Sequence, residues 1–196
     1  YFAPLGSPDG EWLAFADCLF KTAPGHDWAD IALCRPDGSE FRTLTQGQAM
    51  WFAATYGTPQ HRGGGSNVLA WSREGWILFP RRLPGSNVPW EYQADRPDND
   101  HFNREFKPQS ARGGSEIYRL HPVSGNTERL TSSAPLAWDF RCSEAQDGTL
   151  AFCRAATGEV PALYVANAQG REPRFISRGV DQAGVDHPQW LPLSRT

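Results

Sequence analysis

Histidine and carboxylate side chains occur in two long stretches of the chain that lack the alternating pattern of strands. His61 lies in the first stretch, residues 46–66, and His101 lies in the second, residues 81–115, close to Asp98. Imidazole nitrogens and carboxylate oxygens bind divalent cations, and a bound cation acidifies a nearby proton or activates water. These three side chains are therefore candidate metal ligands. No motif requires a cofactor. The only bound group that these residues suggest is a divalent metal ion.

The same stretches combine aromatic rings with guanidinium and carboxylate groups. Rings stack on the apolar faces of sugars, arginine makes paired hydrogen bonds to carboxylates, and acids accept hydrogen bonds from hydroxyl groups. This mixture favours a ligand site for a protein segment or a carbohydrate, and its alternative is a solvated loop held by ion pairs and buried rings. The candidate ligand-binding residues are Trp51, Trp90, Tyr92, Asp95, Arg96 and Arg104.

Composition excludes some partners and indicates no catalytic motif. The 196 residues carry a net charge of -3, and their basic side chains are scattered among acids, so no footprint for nucleic acid is present. No apolar run approaches the roughly 18 residues that a membrane-spanning helix needs. A Gly-x-Ser-x-Gly motif is missing as well, so catalytic residues stay unknown and an enzyme is the less favoured class.

The elements that must position these residues are read from a repeated turn. Residues 7–10, Ser-Pro-Asp-Gly, precede the alternating strand pattern of residues 11–15, and weaker copies of the turn occur at 72–75 and 145–148. Period-two alternation bounded by Gly, Pro and Asp is typical of short antiparallel strands, and helical signals are nearly absent. The sequence therefore predicts an all-β fold built from four-stranded antiparallel meanders.

Three such meanders fit the chain. The first comprises strands near residues 1–5, 11–20, 30–34 and 41–45. The second comprises 67–71, 76–80, 116–120 and 127–130, and the third comprises 138–142, 149–154, 162–166 and 173–176, with one more strand at 186–190. The predicted division is a unit at 1–47, a connector insertion at 48–66, a unit at 67–131 with the long loop 81–115, a unit at 132–179, and the start of a further unit at 180–196.

The motifs resemble the TolB-type β-propeller repeat. The resemblance is carried by residues 7–15, by Asp30-Ile31-Ala32-Leu33 through Pro36-Asp37-Gly38 to Arg42-Thr43-Leu44-Thr45, and by Glu116-Ile117-Tyr118-Arg119-Leu120 to Arg129-Leu130-Thr131. It implies propeller blades, a binding or scaffold function, and a periplasmic or secreted location. The alternative that it implies is a metal-assisted polysaccharide lyase or hydrolase, similar to oligogalacturonate lyase-like propellers.

The number of units is too small for a closed ring. Known propellers need about four to eight blades, whereas the chain carries three and one extra strand. An open sheet edge favours association, so the ring is expected to be completed by missing chain or by a partner, with a homo-oligomer as one form of this. The chain also begins at Tyr1 without Met, which favours a processed form or a piece of a longer protein.

Strand order predicts where the long stretches lie. In each meander the loops between second and third strands, and the connectors between units, emerge on one face, while the tight turns emerge on the other. Residues 46–66 and 81–115 should therefore share one face, here called the loop-rich face. The turns at 7–10, 72–75 and 145–148 should share the opposite one, here called the turn face.

Four cysteines pose a separate question. A two-residue turn at Asp147-Gly148 would place residues whose numbers sum to 295 opposite each other, and thus Cys142 opposite Cys153. Cys18 and Cys34 fall on neighbouring strands of the first unit. Two cross-strand disulfides and four buried free thiols are both compatible with this pattern.

Overall fold

The computed structural model of the chain describes residues 1–18, 27–93, 95, 103–178 and 184–191. Strands form nearly all of its regular structure, and these residues contain no α-helix, only one 3₁₀ turn at Pro108–Ser110. The predicted all-β class is confirmed. Within the same residues, no helix has the length and apolarity to cross a membrane.

The first meander joins four antiparallel strands in chain order. They are β1 (Phe2–Gly6), β2 (Leu13–Cys18), β3 (Trp28–Cys34) and β4 (Arg42–Thr43). The register of β2 and β3 pairs Leu13 with Cys34 and Cys18 with Ala29.

Two insertions form hairpins, and the second meander surrounds the second of them. The strands between the first and third meanders are β5 (Met50–Trp51), β6 (Ala53–Gly57), β7 (Arg62–Ser66), β8 (Ala70–Trp71), β9 (Ile77–Arg82), β10 (Trp90–Tyr92), β11 (Arg104–Phe106), β12 (Ser115–Leu120) and β13 (Thr127–Arg129). The second meander is β8, β9, β12 and β13. In the described residues, β6 and β7 pair only with each other, as do β10 and β11.

The third meander follows directly and has the same antiparallel order. It comprises β14 (Ala137–Glu144), β15 (Leu150–Ala156), β16 (Ala162–Ala166) and β17 (Arg174–Phe175). The main path of strand pairing runs from β1 to β17 without returning, so the sheet is not closed. That these three meanders are blades of a larger ring stays a prediction.

The repeated turns owe their shape to side-chain and glycine chemistry. The Ser7 hydroxyl accepts a hydrogen bond from the Trp12 N–H at 2.9 Å, and Ser72 does the same for Trp76 at 3.0 Å. Gly10 has a φ of 76°, which glycine adopts without steric cost. Turns from different meanders then meet on the turn face, where the Arg73 N–H donates to the Glu144 carboxylate at 2.7 Å.

Apolar side chains fill the spaces between the meanders. Ile31 and Phe79 belong to the cluster between the first and second meanders, and Ile117 and Phe152 belong to the cluster between the second and third. The first strands of the three units face one another, and the Trp71 Nε1–H donates to the carbonyl of Leu5 at 2.9 Å. Neighbouring meanders therefore pack face to face, with their first strands innermost.

The two insertions lie together on the loop-rich face, as strand order predicts. The Arg62 guanidinium donates to the carbonyl of Arg104 at 3.3 Å and lies 5.4 Å from the ring centroid of Trp90. Trp28 of the first meander stacks on Trp138 of the third, with 6.4 Å between ring centroids. This face therefore brings both hairpins and two of the meanders into contact.

The predicted register of the third meander is wrong, and no disulfide bridges its strands. Cys153 pairs with Phe140 and not with Cys142. The turn itself shifts the register by one residue, since Glu144 lies opposite Leu150, and the bulge between Phe140 and Ser143 shifts it by one more. A shift of one residue turns a side chain to the other face of a sheet, so Cys142 and Cys153 join different apolar clusters. All four cysteines are free thiols, and burial raises the pKa of both Cys142 and Cys153 to about 12.

The strand expected at residues 186–190 does not form, yet the segment 184–191 follows a definite course. It starts beside the β15–β16 loop, where the Val185 N–H donates to the Pro161 carbonyl at 3.1 Å. It then runs alongside β14, where the Ser143 hydroxyl donates to the Pro188 carbonyl at 2.9 Å. The segment thus passes from the loop-rich face toward the turn face along the inner side of β14.

Candidate functional site

A groove of about 390 Å³ on the loop-rich face is the centre of the candidate site. One wall is the β6–β7 hairpin, and the other is formed by the β15–β16 loop and the start of the segment 184–191. Its lining residues are Tyr56, His61, Arg62, Gly63, Val160, Pro161, Gly184, Val185 and Asp186. Backbone, apolar and charged groups therefore all face the same space.

Arg141 lies behind Tyr56 and Asp186, two lining residues of this groove, at the position where β14 bulges. Its φ of 50° is uncommon for a residue with a side chain, and such bulges redirect side chains near binding sites. The side chain is only 2% exposed. Its Nη1 atom donates to the Tyr56 hydroxyl at 2.9 Å and to the Asp186 carboxylate, whereas Nε and Nη2 have no hydrogen-bond partner among the described residues.

Tyr56 and Asp186 complete a triangle around the Arg141 guanidinium. The Tyr56 hydroxyl donates to the Asp186 carboxylate, whose side chain stays 31% exposed. Burial raises the pKa of Tyr56, although the charge of Arg141 opposes the rise. Burial likewise lowers the pKa of Arg141. The guanidinium is therefore a desolvated cation that Asp186 neutralises from the groove side.

The glycine-rich strand β7 lets this triangle form. A Cβ atom at Gly63 would lie 2.3 Å from the ring of Tyr56, and one at Gly65 would lie 2.8 Å from Nη2 of Arg141. Side chains at these positions would displace both groups. Residues 63–65 thus bring backbone close to the guanidinium, which is a use that glycine serves through its lack of Cβ.

A second buried arginine lies deeper on the same face. Arg104 Nη2 contacts the Asp27 carboxylate at 3.1 Å, and its guanidinium lies 5.3 Å from the ring centroid of Tyr92. Burial raises the pKa of Asp27 to about 7 against the opposing charges of Arg104 and Arg82. The backbone carbonyl of Asp27 also accepts the N–H groups of residues 52 and 53, so this pair joins the hairpins to the first meander.

The structure places the aromatic candidates in the packing. Trp51 is 1% exposed and lies 5.0 Å from Trp138 by ring centroids, and Trp90 is 2% exposed beside Phe106. A ligand would reach either ring only if its neighbours moved. Tyr92 is half-buried, and its ring lies beside the guanidinium of Arg104, whose backbone carbonyl accepts from Arg62 of the first hairpin.

Of the remaining candidates, one lines the groove, one lies beyond β10, and three fall outside the described residues. His61 is exposed in the β6–β7 turn and lines the groove, and Asp95 is exposed beyond β10. Arg96, Asp98 and His101 fall outside the described residues. Within the part of the chain that the structure describes, no three His, Cys, Asp or Glu side chains come together as a metal site. Metal binding by His61 with Asp98 and His101 therefore stays a prediction.

Sequence reasoning missed three residues of the triangle, although one signal was available. Residues 138–142 read as a buried strand, yet they include Asp139 and Arg141, and charged side chains inside a buried strand need partners. That signal could have marked Arg141. Nothing local links it to Tyr56 or Asp186, which are distant in sequence.

No protein-family model matches the chain. Among solved structures it is similar to TolB from Acinetobacter baumannii, with 13% identity over 84% of this chain and 52% of TolB, and a TM-score of 0.30. It is also similar to the tricorn protease, with 11% identity over 88% of this chain and 18% of that one, and a TM-score of 0.28. A third similarity is to a prolyl endopeptidase, with 13% identity, coverage of 91% and 35%, and a TM-score of 0.30.

All three of these proteins contain propellers. The chain spans between 18% and 52% of their lengths. Similarity at this level says nothing of activity.

Proposed function

We propose that the chain is a binding module that holds an extended protein segment in the groove between the β6–β7 hairpin and the β15–β16 loop. The observation that carries this proposal is the seating of the chain's own segment 184–186 against that groove. Val185 is held there by its backbone N–H, and Asp186 by its carboxylate. The walls of the groove thus already hold one extended stretch of polypeptide.

The open edge of β7 supports the same ligand class. Within the described residues β7 pairs only with β6, and most of its residues are partly exposed, whereas β6 is buried throughout. A strand edge presents N–H and C=O groups that an added peptide strand can pair with. Glycines at 63–65 leave that edge without bulky side chains.

Burial of the tryptophans favours a protein segment over a carbohydrate. Sugar recognition by stacking needs an accessible aromatic face, and Trp51 and Trp90 offer 1% and 2% of their surface. The ring of Tyr56, which lines the groove, is 7% exposed and packs on Phe140 with 4.9 Å between centroids. Backbone pairing and charge therefore remain as the main means of recognition.

A groove-filling variant tests the proposal. Extended peptides are selected from a random library on the wild-type protein, and their affinities are then measured by calorimetry. Val160→Trp, which places a ring in the groove, is expected to weaken binding at least about tenfold, a loss of about 1.4 kcal/mol. Val123→Trp, at an exposed position on the turn face, is the matched control and should bind as the wild type does.

Two outcomes would contradict the proposal. Equal affinity of Val160→Trp and wild type would place the peptide elsewhere. Binding of acidic oligosaccharides that Val160→Trp abolishes, with no peptide selected, would replace the protein segment by a carbohydrate.

A further inference from the structure

We propose that Arg141 and Tyr56 form a recognition site for a carboxylate of the bound segment, and that Asp186 occupies this site as an internal ligand. The inference rests on the proposed function and names the chemical group that the groove selects. It begins from the Arg141 side chain, which is 2% exposed and keeps two nitrogen atoms without a partner among the described residues.

The geometry is that of an incompletely filled anion site. A guanidinium presents five N–H donors in a planar fork that matches a carboxylate through two parallel hydrogen bonds. Asp186 engages one arm of that fork, through Nη1, and also accepts from the Tyr56 hydroxyl. A buried cation with unused donors is costly, so a carboxylate free to adopt its own geometry has hydrogen bonds to gain there.

Asp186 is placed as a replaceable occupant. Its side chain is 31% exposed, and its segment 184–191 has no strand pairing with β14. Two hydrogen bonds to β14 hold much of the segment in place. The Ser143 hydroxyl donates to the Pro188 carbonyl at 2.9 Å, and the Trp190 Nε1–H donates to the backbone carbonyl of Ser143 at 3.3 Å. Arg141 also lines a second groove, of about 340 Å³, together with residues 187–189. Displacement of the segment would therefore open the guanidinium from two sides.

Two other titratable groups lie near the Arg141 guanidinium. His187 faces it from the same segment, and burial together with the charge of Arg141 lowers the pKa of His187, which keeps that ring neutral at pH 7. Arg62 lines the outer groove, and its guanidinium donates to the carbonyl of Arg104. Within the described lining residues of the two grooves, Asp186 is the one carboxylate.

The test compares three sources of a carboxylate by calorimetry. The probes are an end-blocked pentapeptide with a central Glu, a neutral pentapeptide with a free C-terminus, and galacturonate, with the Gln version of the first peptide as reference. Asp186→Asn is expected to bind the Glu peptide up to about fivefold more tightly than wild type, because apparent affinity is reduced by the fraction of sites already occupied and a partly exposed ion pair holds its site only weakly. Asp147→Asn, an exposed carboxylate of the turn face, is the matched control and should change nothing.

A second pair of variants keeps the test decisive if Asp186→Asn is unstable. Ser143→Ala removes the hydroxyl that donates to the Pro188 carbonyl and leaves the Asp186 carboxylate intact, so it should also tighten binding of the Glu peptide, by a smaller factor. Adding Arg141→Gln to either variant should abolish the gain.

The outcomes separate this inference from the proposed function. Equal affinity of the Glu and Gln peptides in every variant overturns the carboxylate site and leaves peptide binding standing. A gain for galacturonate alone supports the carboxylate site and overturns the protein segment. Failure of Asp186→Asn and Ser143→Ala to bind any probe more tightly than wild type overturns the inference.

Discussion

Two aspartate–arginine pairs meet on β14, and their geometries differ. Asp139 is fully buried, and both of its carboxylate oxygens are engaged by Arg154, at 2.6 Å through Nε and 2.8 Å through Nη2. The Thr131 hydroxyl donates to the same carboxylate at 2.6 Å. Asp186, by contrast, is partly exposed and engages Arg141 through one nitrogen.

The difference separates a structural pair from a binding site. A buried ion pair whose hydrogen bonds are complete holds a fold in one arrangement and leaves nothing for a ligand. A buried arginine with incomplete hydrogen bonding is a desolvated cation whose remaining N–H donors can bind a ligand. The two pairs lie two residues apart on one strand, so their surroundings, and not their residue types, set the contrast.

The largest effect is expected where the pairing is complete. Asp139→Asn would turn an amide N–H toward the guanidinium of Arg154, and breaking a buried pair costs about 3–5 kcal/mol. Urea unfolding, monitored by tryptophan fluorescence, measures this loss. A loss below about 1 kcal/mol would remove the contrast between the two pairs.

The Asp27–Arg104 pair sharpens the comparison through pH. The folded pKa of Asp27 is about 7 and its ordinary value is 3.8, so between these pH values the folded state binds more protons than the unfolded one. Stability from this group is therefore full below about pH 4 and is lost as pH rises toward 7, by at most about 4 kcal/mol.

The measurement is the free energy of unfolding of wild type and Asp27→Asn from pH 4 to 8. The difference between the two curves should slope in this window and level off above it. A difference that is independent of pH would show that Arg104 keeps Asp27 ionised, and would place this pair with Asp139 and Arg154.

A smaller effect is expected from the glycine that supports the binding pair. Gly63→Ala would place a Cβ atom within 2.3 Å of the Tyr56 ring, and such overpacking costs about 1–3 kcal/mol. The displaced hydroxyl should also loosen the Arg141 triangle and change peptide affinity. Gly6→Ala is the control, because a Cβ there meets no atom within 4 Å. Equal stability of the two variants would show that Tyr56 is free to move aside.

The smallest change in stability is expected for the incomplete pair itself. Asp186→Asn keeps an oxygen that can accept from Arg141 and Tyr56, and partly exposed pairs contribute about 0–1 kcal/mol. Urea unfolding under the conditions used for Asp139→Asn gives the comparison directly. A loss as large as that of Asp139→Asn would make Asp186 a structural partner of Arg141.

Local chemistry made much of the fold predictable. The serine and glycine residues of the repeated turns bond within their own turn, so their positions mark the strand ends from sequence alone. Alternation then separates inward from outward residues along each strand. The shared face of the two insertions follows from strand order, and the contact of Arg62 with Arg104 bears it out.

The site was less predictable because it depends on distant contacts. The predicted pairing of Cys142 with Cys153 is wrong because the turn holds three residues, 146–148, and not two. In addition, nothing in residues 142–153 shows that Arg141 adopts a left-handed conformation and adds a bulge. The sequence favours Trp51 as a ligand contact because its neighbours resemble a loop, yet the rings of Trp138 and Phe140 bury it. Neither fact is encoded within a short window of residues.

The amino-acid sequence by itself determined the all-β class, the turns and the two faces, because each depends on hydrogen bonds and alternation within a few residues. Tertiary structure alone decided which charged groups meet. Tyr56, Arg141 and Asp186 come together only when the hairpin, the bulged strand and the final segment pack against one another. Burial then makes the difference between a completed ion pair and an arginine with donors to spare, since the cost of an unpaired polar group appears only when water is excluded.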